Sequence, residues 1–199
     1  QWVDFKADGF NCPVTGVIYD SQTKLWCGMP LGGIATGCID IENNGTLGYC
    51  TLFSRIWGHD SGSDGSPTYR DRAWASKNGG LIELDLKDPS RGKLNVPFLG
   101  LSVDKKTWVL STEKMVSVSI ASEIEYWGHY PITDIKYTTD APVEVGLRCW
   151  SPFLPGNAVD SDVPAAIFEI NLRNTSDKLQ TGRVILSFPG PRPRETQGN

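Results

Sequence analysis

Apolar and polar residues alternate along most of this chain, and helical periodicity is almost absent. In several segments every second residue is apolar, while charged or small polar residues fill the positions between. A period of two with one apolar face is typical of half-buried antiparallel strands. The alternation predicts strands over residues 82–86, 115–120, 143–149, 168–172 and 184–188.

Turn-forming residues separate these segments. Asn43-Asn44-Gly45 lies between two strand-like runs and predicts a tight hairpin, because Asn-Gly readily adopts positive φ. Further turns are predicted at 140–142 and 174–177, and the longest polar loop at 58–67. Many short strands with regular turns indicate an all-β fold, an antiparallel two-sheet β-sandwich.

The C-terminal residues 189–199 are rich in proline, glycine and polar side chains, which do not suit a central strand. We therefore expect the sandwich either to end near Phe188 or to be incomplete at the C-terminus and continue past residue 199. The first residue is Gln1, which indicates a processed or excised piece.

Composition narrows the class of partner. The 199 residues suffice for one domain, and 21 Gly, 13 Pro and 7 Trp suit a turn-rich β protein. The net charge of -4 comes without a basic patch, which argues against nucleic acid as a partner. The sequence contains no apolar run of about 18 residues, so no transmembrane segment is predicted.

Metal and cofactor signals are weak. Five cysteines accompany two histidines, and no C-x-x-C pair occurs, so we expect no zinc and no cofactor. Buried free thiols are the favoured interpretation, and one disulfide among the first four cysteines stays open. Asp60 and Asp64 resemble part of a calcium loop, for which a solvated polar loop is the favoured interpretation. The cysteines are Cys12, Cys27, Cys38, Cys50 and Cys149.

A glycine-rich segment at residues 28–37 is the densest motif. It lacks the Lys-Ser/Thr of a phosphate loop and the spacing of a dinucleotide loop, and a strand follows it. We expect residues 32–37 to form an apolar strand whose glycines leave a flat surface without side chains. Close backbone approach or a bulge within the fold is favoured, and approach to a ligand or second domain is the alternative.

Aromatic and acidic residues give further candidates. Trp57, Trp74 and Trp127 are predicted in loops, where they would fill the core or an interdomain seam or, alternatively, stack on sugars. No pair of carboxylates can be assigned to opposite sides of a cleft, as glycosidases require. The acidic candidates lie mainly on polar strand faces: Glu42, Glu123, Glu125, Glu144 and Glu169.

Three blocks of sequence form a distinctive series. The first is Pro30-Leu31-Gly32-Gly33-Ile34-Ala35-Thr36-Gly37 with Gly45, Leu47-Gly48 and Phe53-Ser54-Arg55. The second is Tyr130-Pro131 and Pro142-Val143-Glu144-Val145 with Leu147. The third is Ser151-Pro152-Phe153-Leu154-Pro155-Gly156-Asn157-Ala158 with Asp160, Ser161, Pro164, Ala166, Phe168 and Asn174. In this order the blocks resemble the N-terminal domain of glycoside hydrolase family 116, which includes non-lysosomal glucosylceramidases and bacterial β-glucosidases. Ala35 and the Cys50-Thr51-Leu52-Phe53-Ser54-Arg55 run depart from the family pattern and indicate a divergent member.

The resemblance implies a two-domain retaining β-glucosidase-type enzyme. Its N-terminal sandwich, to which residues 1–199 belong, would pack on a C-terminal barrel of paired helices that carries a Glu nucleophile and an Asp acid/base. None of those catalytic residues falls in this chain, so the chain alone is expected to be inactive. The expected partners are that helical domain and a carbohydrate or glycoconjugate substrate.

The residues expected at the interdomain seam or near a ligand are Gly32, Gly33, Thr36, Gly37, Arg55, Trp57 and Trp127. The alternative function is a free-standing carbohydrate-binding module, which predicts a row of exposed aromatic residues. A purely structural, adhesion-type sandwich is a third. The compartment is not fixed by the sequence, with a lean to a bacterial secreted, periplasmic or cytoplasmic protein.

Overall fold

A computed structural model describes residues 2–23, 25, 27–34, 36–50, 76–77, 80–81 and 94–188. The predicted strand 82–86, the loop 58–67 with Asp60 and Asp64, and the candidates Arg55, Trp57 and Trp74 lie outside these residues. The described strands are β1 (Trp2–Phe5), β2 (Val14–Asp20), β3 (Met29–Leu31), β4 (Ile39–Ile41), β5 (Thr46–Cys50), β6 (Ser76–Lys77), β7 (Gly80–Leu81), β8 (Val96–Pro97), β9 (Leu99–Val103), β10 (Lys106–Val109), β11 (Ser119–Ile120), β12 (Glu123–His129), β13 (Ile132–Thr138), β14 (Val143–Trp150), β15 (Ile167–Asn174) and β16 (Gly182–Leu186).

The strands build a β-sandwich, as the sequence predicted. Sheet I is antiparallel, with the order β1-β2-β12-β13-β14-β15. Sheet II has the order β3-β4-β5-β8, and sheet III has the order β11-β10-β9-β16. Buried side chains from all three sheets form one apolar cluster, so sheets II and III together oppose sheet I. The short strands β6 and β7 pair with each other.

Strand β14 shows how the alternation produces this core. Val143, Val145, Leu147 and Cys149 are all buried, while the residues between them are half-exposed. Each buried side chain therefore points between the layers, and its neighbours point to the outer face of sheet I. The strand predicted over 143–149 is confirmed. One short helix, α1 (Ala158–Ser161), interrupts the described strands, and it is far too short to span a bilayer.

The predicted hairpin after β4 is confirmed. β4 and β5 are antiparallel, and Gly45 has a φ of 80° in the turn that joins them. A side chain at Gly45 would also overlap the carbonyl oxygen of Leu110, so both the turn and the packing require glycine here.

The strand predicted over 115–120 is wrong for most of its length. Only Ser119 and Ile120 form a strand, β11, which pairs in parallel with β10. Ser117 has a φ of 69°, which breaks the extended backbone, and Val116 is 93 % exposed. The apolar positions of this segment therefore do not share a buried face.

The terminal strands β15 of sheet I and β16 of sheet III leave apolar side chains exposed. Leu172 pairs in register with the buried Val145, and Leu186 pairs with the buried Leu99, so both leucines lie on inward faces. They are nevertheless 52 % and 55 % exposed. The predicted strand 184–188 is shorter than expected, because β16 ends at Leu186.

The expectation of buried cysteines holds only in part. Cys149 is fully buried in the core, and burial raises the pKa of its thiol. Cys12 and Cys27 are exposed, so the prediction is wrong for them. Trp108, for which no position was predicted, is buried in the core, and its Nε1 donates to Asp140 Oδ1 at 2.6 Å.

Two buried tyrosines on sheet I give a matched test of this packing. The Tyr126 hydroxyl donates to the carbonyl of Ile41 at 3.0 Å and accepts from the amide of Met29 at 2.9 Å, which ties sheet I to sheet II. The Tyr137 hydroxyl is buried without a hydrogen-bond partner in the described part of the chain. Burial raises the pKa of both phenols.

We expect Tyr126→Phe to lower the free energy of unfolding by about 2 kcal/mol, because it leaves the Met29 amide without its acceptor. Tyr137→Phe should leave that free energy unchanged or raise it by about 1 kcal/mol, since it removes a buried polar atom that has no partner. Urea unfolding of both variants measures the difference. Equal destabilisation by the two substitutions would contradict these assignments.

Candidate functional site

The glycine-rich segment forms the turn that joins β3 to β4. These strands pair antiparallel, from Met29 with Ile41 to Leu31 with Ile39. Within the turn, the amide and the hydroxyl of Thr36 both donate to the carbonyl oxygen of Gly33, at 3.2 and 2.9 Å. The expectation of a strand over residues 32–37 is therefore wrong, because two positive-φ glycines reverse the chain.

This turn packs against a distant segment of the same chain. The amide of Gly32 donates to Ser151 Oγ at 2.6 Å, and the amide of Ile34 donates to the carbonyl of Ser161 at 2.8 Å. A Cβ added at Gly33 would lie 2.5 Å from the carbonyl oxygen of Val163. The glycine motif is thus in contact with the Ser151–Val163 region, and the close approach uses the missing side chain.

The segment that receives the turn is itself fixed by hydrogen bonds. Ser161 is buried at the end of α1, and its hydroxyl oxygen accepts from the amide of Leu154 at 2.9 Å. The same hydroxyl lies 2.7 Å from the carbonyl oxygen of Asn157, to which it can donate. Asn157 caps α1 by accepting from the amide of Asp160. The described part of the glycine turn and residues 151–163 therefore form one rigid, hydrogen-bonded unit.

Large apolar side chains are exposed around this unit. We call this surface the apolar patch; between 38 % and 81 % of each member is exposed, and the Phe153 ring meets the Tyr130 ring edge to face at 5.4 Å. Large apolar side chains that are exposed in one region of a surface often mark a site of contact with another protein or domain. The members of the apolar patch are Ile34, Phe153, Leu154, Val159 and Val163.

Of the other predicted site residues, only Trp127 is described. It lies in the middle of β12, so the expectation of a loop position is wrong. Its register partners are Ile18 and Asp134, and its side chain is half-buried. The structure thus brings Gly32, Gly33, Thr36 and Gly37 together and places Trp127 separately, in sheet I.

Trp127 lines a hollow on the outer face of sheet I. The hollow has a volume of about 530 Å³, and residues 5–8 form one of its sides. Two cross-strand rows cover its base. Their members are Trp127, Asp134, Arg148 and Glu169 in one row, and Lys136, Gly146 and Asn171 in the other.

A cluster of His129, Asp134 and Arg148 borders this hollow, and it was not predicted from the sequence. Arg148 donates from Nε and Nη2 to the two Asp134 oxygens at 2.6 and 2.9 Å, and His129 Nε2 lies 3.1 Å from Asp134 Oδ2. Rings of Phe5 and Phe10 stack edge to face on His129, which is buried. The period-two alternation places all three side chains on the outer face of sheet I. This alternation was the one feature of the sequence that could have indicated the cluster.

Interactions with neighbouring basic side chains lower the pKa of two carboxylates that line the hollow, Asp134 and Glu144. Burial opposes ionisation of Asp134 most strongly, but hydrogen bonds from His129 and Arg148 together outweigh it and lower its pKa. The hydrogen bond from Arg173 lowers the pKa of Glu144. Both groups are therefore ionised at neutral pH, whereas a glycosidase acid needs a raised pKa. This chemistry suits hydrogen bonding to a ligand more than proton donation.

Among the described residues, no group of three His, Cys, Asp or Glu side chains could hold a metal ion.

The comparison with protein families gives a positive result. Residues 28–191 match the family model described as "beta-glucosidase 2, glycosyl-hydrolase family 116 N-term".

The chain belongs to this family. A search of curated proteins gives no match. The matched range of the family 116 domain includes the glycine turn, α1 and all of sheet I except β1 and β2. The rigid unit beneath the apolar patch and the hollow's central strands are therefore both parts of the family domain.

Proposed function

We propose that this family 116 N-terminal domain packs on the catalytic helical domain of the protein that carries it and supports one wall of the substrate cleft. The apolar patch is the observation that carries this proposal. Docking would remove apolar surface of all five side chains from contact with water. Each Å² buried in this way would stabilise the interdomain contact by about 25 cal/mol. In a lone domain this surface would remain exposed to solvent.

The patch is also preorganised. The backbone amide of Ile34 donates a hydrogen bond to the Ser161 carbonyl, and the amide of Leu154 donates to Ser161 Oγ, so little backbone freedom is left to lose on docking. In this proposal the glycines act indirectly. Gly32 and Gly33 let the turn approach Ser151 and Val163, and the turn then presents Ile34 to the partner.

The test uses the full-length protein. We expect Ile34→Ser and Phe153→Ser each to weaken the interdomain contact by about 1–2 kcal/mol, because each removes a docked apolar side chain. Hydrolysis of an aryl β-glucoside should fall, and thermal unfolding should separate into two transitions.

Leu179→Ser is the matched control, since Leu179 is 94 % exposed between β15 and β16 and lies outside the patch. It should leave both activity and the unfolding profile unchanged. Patch variants that unfold and hydrolyse substrate like the unsubstituted protein would refute the packing role.

A free-standing module that binds carbohydrate on a flat row of aromatic residues is less well supported. It predicts a row of exposed aromatic residues on one sheet face. Among the described residues that line the hollow of sheet I, the aromatic ones are Phe5 and Trp127, and the remainder are mainly charged or aliphatic. A flat aromatic platform is not formed there.

A further inference from the structure

Gly146 is a glycine in the interior of a central strand, β14. Glycine destabilises such a position by about 0.5–1 kcal/mol relative to alanine. A Cβ added here would meet its nearest atoms, Asn171 Cβ and the carbonyl oxygen of Ile135, at 3.8 and 3.9 Å, which are ordinary van der Waals distances. Its φ also lies outside the left-handed region. Neither the backbone nor the packing requires glycine at this position.

The other strand glycines with described surroundings differ from Gly146. At each of them an added Cβ would come within 3.3 Å of another atom, so close packing explains the missing side chain. These glycines are Gly16, Gly48, Gly100, Gly128 and Gly182. Gly146 therefore needs another explanation, and an isolated strand glycine of this kind often marks close approach of a ligand or another backbone.

The position of Gly146 supplies that explanation. It lies between Lys136 and Asn171 in a cross-strand row, at the base of the hollow. Any larger side chain would point outward from sheet I and fill the space above it, as the alternation of β14 dictates. The glycine keeps the floor of the hollow open.

The lining indicates what the open space would accept. Four Lys or Arg and four Asp or Glu side chains line the hollow, so their formal charges cancel. A polyanion or polycation would meet as much repulsion as attraction there. The volume of about 530 Å³ is within the range of small-molecule sites. A neutral, polar occupant fits this balance best.

Donors and acceptors in the hollow are held in place. Asp134 fixes the Arg148 guanidinium, and Glu144 accepts from Arg173 Nε at 2.8 Å. Glu169 and Asn171 are exposed beside them and offer an acceptor and an amide. The half-buried Trp127 adds an aromatic surface with one polar atom.

We propose that this hollow binds a neutral carbohydrate chain. Adjacent hydroxyl groups of a sugar both donate and accept hydrogen bonds, as the mixed lining requires, and its C–H face can contact Trp127. The site lies on the outer face of sheet I and does not depend on the packing role of the apolar patch.

Isothermal titration of the 199-residue chain with cellotetraose tests the proposal, with tetragalacturonate as an anionic oligosaccharide of equal length. We expect saturable binding of cellotetraose, weaker binding of tetragalacturonate, and a change in tryptophan fluorescence. Gly146→Phe should weaken cellotetraose binding about tenfold or more, because the ring occupies the floor. Its unfolding midpoint should be unchanged or raised, since an aromatic residue suits a strand better than glycine.

Ile185→Phe is the matched control, because it adds a ring at an exposed position of β16 in sheet III. It should bind cellotetraose normally. Asn171→Ala, an exposed substitution, should weaken binding several-fold and serves if Gly146→Phe misfolds. Absence of cellotetraose binding, tighter binding of tetragalacturonate, or full binding by both hollow variants would overturn the proposal. Cross-linking of the hollow to the catalytic domain in the full-length protein would also overturn it, in favour of a protein segment.

Discussion

Gly33→Val should destabilise the domain by more than about 3 kcal/mol, at the upper end of single-substitution effects. The added Cβ would lie 2.5 Å from the carbonyl oxygen of Val163 and 2.8 Å from that of Asp162. Both obstacles are backbone atoms in a segment tied down by Ser161, so neither can move aside as a flexible side chain would. Urea unfolding measures the loss of stability, and the hydrogen bond from the Ile34 amide to the Ser161 carbonyl should be lost with it.

Gly146→Val is the matched control for this substitution. It places the same side chain at a glycine whose nearest neighbours would be 3.8 Å away. Valine also suits a strand better than glycine, so the free energy of unfolding should be unchanged or rise by about 0.5–1 kcal/mol. A similar loss of stability in both variants would show that a general intolerance of valine, and not the contact with residues 162–163, explains the result.

Arg148→Met should lower the free energy of unfolding by about 3 kcal/mol at neutral pH, because it leaves a partly buried carboxylate with His129 as its remaining described partner. It also removes the bond from Arg148 Nη1 to the carbonyl of Asp8, which holds the N-terminal segment over the sheet. The Arg148 side chain is 20 % exposed and Asp134 is 27 % exposed. Chemical denaturation at several pH values provides the measurement.

Arg173→Met is the corresponding substitution in an exposed ion pair, which joins β14 to β15. The side chains of Arg173 and Glu144 are 72 % and 44 % exposed, and such a pair contributes about 0–1 kcal/mol. If the two substitutions lowered the free energy of unfolding equally, burial would not be what makes the Arg148 pair the stronger one.

The Arg148 effect should depend on pH in one direction. The folded-state pKa of Asp134 lies below its ordinary value of 3.8, so its stabilising ion pair is present above that pH and is lost as the pH falls through the lowered pKa. The difference in unfolding free energy between the unsubstituted chain and Arg148→Met should therefore be largest above about pH 5 and shrink toward pH 2. A difference that grows on acidification would exclude this origin.

The order of apolar and polar residues was enough to predict those strands in which one face is buried and the other is exposed. In β14 the alternation in the sequence reads directly as alternating burial, and the Asn-Gly turn is determined by backbone preference. The segment 115–120 has an equally good alternation, yet it lies outside a sheet for four of its six residues. Met115, Val116 and Val118 are exposed, and pairing across layers is not encoded in a local window.

For the candidate site, the sequence predicted the type of interaction but not the residues that take part in it. The glycine motif indicated close approach, but that its neighbour is residues 161–163 follows from tertiary packing. The cluster around Asp134 depends on the registers that place Arg148 opposite it and His129 nearby. Gly146 has no distinguishing signal in the sequence, because what sets it apart is the empty space above its Cα.

The uncovered leucines of β15 and β16 have a practical consequence. Each of the two strands is the last of its sheet among the described strands, and an edge strand with exposed apolar side chains can pair with another polypeptide. When purified alone, the domain should therefore self-associate increasingly as its concentration rises. Mild detergents or charged substitutions at Leu172 and Leu186 should reduce this self-association.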